Sequence, residues 1–115
     1  MASKRGSMVD GRRYRNLCEL YEGSVRSFSE KPLFGTRENR GWHWLSYRDF
    51  ASRVDVLRAA LGMLCIQRGD RVALIAPNGV DWATVAFATF TAGGVLVPIY
   101  PYQRYDDWLD ILRDA

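Results

Sequence analysis

The residues able to carry chemistry are few and far apart. His43 is the single histidine, and Cys18 and Cys65 are the two cysteines. They form no Cys-x-x-Cys unit, and no HExxH motif accompanies them, so the ligand spacing of a zinc site is missing. His43 lies between Trp42 and Trp44 in an extended run, where it faces the opposite side from both rings. It reads as a structural or surface histidine, with no second histidine to build a triad. Cys18 and Cys65 read as reduced, buried small hydrophobes, which fits a cytoplasmic protein. Phosphate chemistry lacks its backbone as well. No Gly-x-Gly-x-x-Gly follows Val72–Ala76, and no Gly-x-x-x-x-Gly-Lys occurs anywhere. Pro77-Asn78-Gly79 offers one glycine, followed by an acid, Asp81, that repels phosphate. No catalytic, cofactor-binding or metal-ligating residue is assigned.

The elements around these residues are better defined than any site. Leu17, Leu20, Tyr21, Val25 and Phe28 recur at helical spacing, and Lys31-Pro32 ends that helix. Leu33–Arg37 and Trp42–Leu45 read as a hairpin around the polar turn Glu38-Asn39-Arg40-Gly41. Tyr47, Phe50, Val54, Leu57, Leu61 and Leu64 alternate by three and four, which predicts a long amphipathic helix. Ser46 and Asp49 supply its capping box, and Asp49 stands four residues before Arg53 in ion-pair spacing.

Arg68-Gly69-Asp70 is a turn. Val72–Ala76 is an unbroken apolar run, expected to be a strand covered on both faces. Asn78 with Asp81 repeats the capping device for a helix from about Gly79 to Ala92 that is apolar nearly all round. Gly93-Gly94 ends it, and Val95–Ile99 is a second strand. Strand, helix and strand within about thirty residues make a βαβ unit with parallel strands. Tyr105–Asp114 reads as a further helix with acids early.

A chain of 115 residues and 13.2 kDa makes one small domain, able to bury roughly two-thirds of its unfolded surface. With 48% hydrophobic and 25% charged residues, disorder along the whole length is excluded. The net charge of +3 is local. Lys4, Arg5, Arg12, Arg13 and Arg15 against Asp10 give residues 1–15 a charge of +4 and leave −1 for the rest. Residues 1–14 are expected to be a flexible basic tail, and residues 15–115 the folded part. Such a tail can touch nucleic acid or an anionic membrane, but the body shows no basic helix face or aromatic platform, so no nucleic-acid partner is expected. Trp82–Gln103 carries no charge, yet its glycines, prolines and threonines suit buried structure better than a membrane span.

Several blocks together resemble a known family. Leu33-Phe34-Gly35-Thr36-Arg37, Trp42 to Phe50, Gly69-Asp70-Arg71-Val72-Ala73-Leu74, Asn78 with Trp82, and Val97-Pro98-Ile99-Tyr100-Pro101 resemble the opening region of AMP-forming acyl-CoA ligases, closest to the long-chain fatty-acid branch. The likeness spans residues 15–115. It implies an α/β fold: the N-terminal part of an adenylate-forming ligase large domain, with a hairpin, an amphipathic helix and a parallel βαβ unit, as an incomplete domain. It also implies activation of a fatty acid with ATP and magnesium to an acyl-adenylate and transfer of the acyl group to coenzyme A. Cytoplasmic location, with peripheral membrane contact for the full-length protein, goes with it.

The family's phosphate loop, adenine-site motifs and C-terminal lysine have no counterpart in these residues, so the fragment alone is expected to be inactive. Two positions depart from the family pattern. Cys65 replaces a helix-ending glycine, and Tyr102 follows Pro101 where a small hydroxylic residue is common. The alternative reading is a small stand-alone binding module, or one half of a split ligase that associates with the missing remainder. A lone parallel pair has unpaired edges, so the isolated chain is expected to aggregate or stay molten.

Overall fold

A computed structural model describes residues 13–115. The element order is α1 (Leu17–Phe28), β1 (Pro32–Glu38), β2 (Gly41–Ser46), α2 (Tyr47–Met63), β3 (Arg71–Ile75), α3 (Val80–Thr91), β4 (Val95–Ile99) and α4 (Tyr105–Asp114). β1 and β2 form an antiparallel pair, and β3 and β4 a parallel pair joined through α3. This is the expected α/β arrangement of hairpin, amphipathic helix and βαβ unit. The expected basic tail falls almost wholly outside the described residues.

Local sequence sets the helix starts. Ser46 Oγ accepts a hydrogen bond from the Asp49 amide at 3.1 Å, which fixes the first turn of α2. A cap absent from the sequence reading opens α1, where Asn16 Oδ1 accepts from the Glu19 amide at 2.9 Å. The Glu19 carboxylate in turn accepts from the amide of Arg15, one residue before the cap, at 2.9 Å.

Asn78 does not cap α3. Gly79 takes the cap position with extended backbone and no side-chain bond, so the frame moves by one residue and Asp81 falls only two places after the cap. The Asp49–Arg53 ion pair does not form. Arg48 instead meets Glu30 at 2.8 Å, and Arg58 meets Asp55 at 3.1 Å. Both pairs are exposed, where such contacts contribute little to stability.

The core forms where α2 and α3 cross beneath the root of the hairpin. Leu45, Phe50, Val54, Leu61 and Ala88 are buried together, with Tyr21, Phe34 and Phe87 packed against them. Phe50 is the hub. Its ring meets Phe34 at 5.1 Å and Tyr21 and Phe87 at 6.1 Å, all edge to face. α3 has only Asp81 exposed along its length, as its composition requires. Its buried Thr84 and Thr89 hydroxyls donate to the carbonyls of Val80 and Val85, which removes the cost of burying them.

Two burial expectations are corrected. β3 is not covered on both faces: Leu74 is buried, while Ala73 and Ile75 are exposed. Sequence composition reports the burial a strand is suited to, and nothing in these residues lies over its second face. Leu64 is also not in the α2 stripe, because the helix stops at Met63 and leaves Leu64 73% exposed.

Candidate functional site

The parallel pair defines the place where a ligand would be met. Leu74 pairs with Pro98 and Ile75 with Ile99, so the segments 76–79 and 100–104 leave the sheet side by side at the carboxyl ends of the strands. In open parallel sheets this edge is where ligands bind. The Tyr100 and Tyr102 rings meet there edge to face at 5.4 Å, both largely exposed. Trp108 of α4 donates its indole N–H to the Tyr100 carbonyl at 3.0 Å, which ties the start of α4 to the strand end.

The chemistry at this edge is mainly aromatic, with one exposed ion pair, Arg104 to Asp106 at 3.7 Å, beside it. The α3 N-terminus presents its amides there, but Asp81 occupies the first turn and no lysine stands in segment 76–79. A Cβ built on Gly79 would meet nothing within 4 Å, so that glycine cradles no group of this chain. A second concavity, a shallow groove of about 700 Å³, lies between the start of α1 and the end of α3. Asn16, Cys18, Arg68, Phe90 and Gly93 line it. It sits at the amino ends of the strands, away from the usual ligand edge.

The individually reactive residues are scattered, as their spacing predicts. Cys18 donates its thiol to the Phe90 carbonyl at 3.2 Å, and burial followed by the nearby Glu22 pushes its pKa up, away from a thiolate. Cys65 is exposed, which corrects the expectation of a buried thiol. Its backbone is left-handed, with φ of 63°, and it is the only non-glycine residue so placed among the described residues. Here the helix turns off α2: Cys65 N–H bonds the Gly62 carbonyl at 3.0 Å and Ile66 N–H the Leu61 carbonyl at 3.1 Å. That pairing is the Schellman turn, in which glycine is the favoured residue.

Tyr21 is held neutral, its pKa pushed up to about 12 by burial and by Asp55. His43 is exposed on the hairpin. No group of three or more His, Cys, Asp or Glu is placed to hold a metal among the described residues. No helix among them is long and apolar enough to cross a membrane.

Trp42 and Trp44 stack at 5.8 Å on an exposed face of the hairpin. Trp44 lies over Gly35, where a Cβ would come within 2.7 Å of its ring. The alternation around His43 already places both indoles on one face, but nothing in the spacing announces the glycine seat beneath them.

Comparison with known proteins completes the picture. A family model described as AMP-binding enzyme matches residues 21–115. A long-chain-fatty-acid–CoA ligase of Yersinia pestis is 31% identical over 94 residues, covering 81% of this chain and 16% of the relative. The long-chain-fatty-acid–CoA ligase ACSBG2 of Mus musculus is 29% identical over 97 residues, covering 84% of this chain and 14% of the relative. The chain therefore spans about one-sixth or less of these curated relatives.

Among solved structures, IdnL1 superposes with a TM-score of 0.79 at 26% identity, over 90% of this chain and 21% of that one. Klebsiella oxytoca NpsA, solved with 3-hydroxyanthranilyl-AMSN, gives a TM-score of 0.79 over 88% of this chain and 20% of its own. At 18% identity that likeness speaks to the fold alone. The hairpin, the capped α2 and the parallel β3–α3–β4 unit are thus shared with far longer proteins, and the chain belongs to the AMP-binding enzyme family, the AMP-forming ligases, as part of their N-terminal region.

Proposed function

We propose that these residues are the N-terminal part of an AMP-forming long-chain fatty acid–CoA ligase. Such an enzyme activates a fatty acid with ATP to an acyl-adenylate and passes the acyl group to coenzyme A. The family match over residues 21–115 carries this reading, and the long-chain relatives from bacteria and mammals favour the fatty-acid branch. Magnesium and coenzyme A enter only through the larger enzyme. The residues described do not fit a nucleotide phosphate: the turn before α3 has no lysine and an acid follows in the first turn, so no catalytic step is assigned to them. Their role is architectural. The β3–α3–β4 unit supplies two parallel strands of a larger sheet, and α2 and the hairpin hold it from one side.

The same reading divides the chain into a flexible basic tail, residues 1–14, and a folded part, residues 15–115, and locates the protein in the cytoplasm with peripheral contact to membranes. The exposed outer residues of β3, Ala73 and Ile75, support a partner for this sheet, either the remainder of the same polypeptide or a separately encoded one. Sequencing the coding DNA beyond the Ala115 codon separates these. An in-frame Ser/Thr/Gly-rich loop with a lysine places the remainder on the same chain. A stop codon, together with activity restored by mixing with a separately made remainder, supports a split ligase. A stop codon with no activity on mixing removes the split ligase and favours the stand-alone binding module.

A further inference from the structure

Three asparagines stand in the chain, and their settings differ. Asn16 is held in place: its Oδ1 accepts the Glu19 amide at 2.9 Å at the start of α1. Asn39 lies in the hairpin turn and is followed by Arg40, whose side chain shields its own amide nitrogen. Asn78 is followed by Gly79, in the connection between β3, which ends at Ile75, and α3, which starts at Val80. The backbone there belongs to neither element, and Pro77, Asn78 and Gly79 are all exposed. Because the cap of α3 falls on Gly79 and no side chain closes it, the Asn78 amide is not fixed as that of Asn16 is.

This pairing allows the backbone to attack the side chain. Glycine has no Cβ to shield its nitrogen or restrict its approach. A Cβ built on Gly79 would meet nothing within 4 Å, so the turn has room to bend. The Gly79 amide nitrogen gives up its proton and bonds Asn78 Cγ, and the side-chain nitrogen leaves as ammonia. Water then opens the five-membered imide at either carbonyl. Opening at one leaves aspartate at this position; opening at the other leaves isoaspartate, with the main chain running through Cβ. Water is the only co-reactant.

We propose that Asn78-Gly79 is a site of spontaneous deamidation, a modification that the fold leaves open at the carboxyl edge of the parallel pair. Either product adds a carboxylate there, close to Asp81 in the first turn of α3. A negative charge suits the amino end of a helix, whereas isoaspartate also lengthens the link from β3 to α3 by one backbone carbon. The reaction is intramolecular and is read on this chain as it stands, so it holds or fails apart from the ligase reading.

The test is incubation of the whole chain at neutral and mildly alkaline pH, with helical circular dichroism followed alongside. Trypsin releases Val72–Arg104, in which Asn78 is the single asparagine, for mass spectrometry. That peptide should gain about 1 Da at Asn78 and resolve into aspartyl and isoaspartyl forms. The gain should be faster at the higher pH, while the helical signal persists. Asn16 and Asn39 should stay intact over the same period. Gly79→Ala should remove the gain without loss of helix, because Gly79 is extended, with φ of 164°, and any residue adopts that backbone. Phe50→Ala, which loosens the core, should change the rate at Asn78 by less than about twofold, since the turn is open in the folded chain. No gain at Asn78, an earlier gain at Asn39, or a gain that survives Gly79→Ala overturns the proposal. So does a manyfold acceleration by Phe50→Ala, which assigns the reaction to unfolded chains.

Discussion

Replacing Cys65 by glycine should stabilise the protein, and the size of the gain follows from the turn that ends α2. Cys65 holds a φ of 63°, where a Cβ crowds the following carbonyl at a cost of about 1–2 kcal/mol. The two Schellman bonds, Cys65 N–H to Gly62 O and Ile66 N–H to Leu61 O, keep the chain in that conformation. The side chain is exposed, so its removal forfeits little burial. Glycine pays back part of the gain through its greater freedom in the unfolded chain, about 0.5–1 kcal/mol.

The net expectation for Cys65→Gly is a gain of about 0.5–1 kcal/mol, or roughly 2–4 °C in Tm for a domain of this size. Cys65→Ala, which keeps the Cβ, should stay within about 0.5 kcal/mol of the parent. Cys65→Val should lose about 1 kcal/mol because a β-branched residue is poorly suited to positive φ. Urea unfolding followed by helical circular dichroism, at micromolar protein to limit edge-to-edge association, measures all three. An equal gain from alanine and glycine would refute the argument, since the benefit would then come from loss of the thiol.

Two further outcomes follow from the core. Phe50→Ala removes the ring that meets Phe34, Tyr21 and Phe87 and should cost about 3–5 kcal/mol, whereas Leu64→Ala, at a 73% exposed position, should cost less than about 0.5 kcal/mol in the same urea assay. Tyr21 binds its proton more tightly folded than unfolded, its pKa raised from 10.0 to about 12. Its contribution is complete below pH 10 and is lost as pH rises toward 12. Tyr21→Phe should flatten that part of the stability profile, and an unchanged profile would contradict the assignment.

The secondary structure is legible in the sequence because it rests on local rules. Periodicity identifies α2, an apolar run identifies β3, and both glycines after α3 mark its end. The parallel pairing follows from the order strand, helix, strand. What was not legible depends on exact frame or on absent neighbours. The cap of α3 moved from Asn78 to Gly79 because a one-residue offset leaves composition unchanged. β3 reads as doubly covered since its residues suit a larger sheet, yet Ala73 and Ile75 have nothing over them here. Cys65 is the opposite case: comparison with a family glycine flagged it, and the left-handed turn gives the reason. The Trp42–Trp44 face is partly legible, since their spacing on β2 puts both indoles on one side. The Gly35 seat under Trp44 comes from the opposite strand and the Tyr100–Tyr102 contact from the loop after β4, neither of which spacing encodes.

We propose that these residues carry ligase architecture without the machinery of adenylation. Fatty-acid-dependent ATP–pyrophosphate exchange by the purified 115-residue chain tests it most directly. Exchange should be no greater than the background without protein, at any acyl chain length. Exchange that depends on both the fatty acid and this chain would contradict it, because it would require a phosphate site that the turn before α3 does not provide.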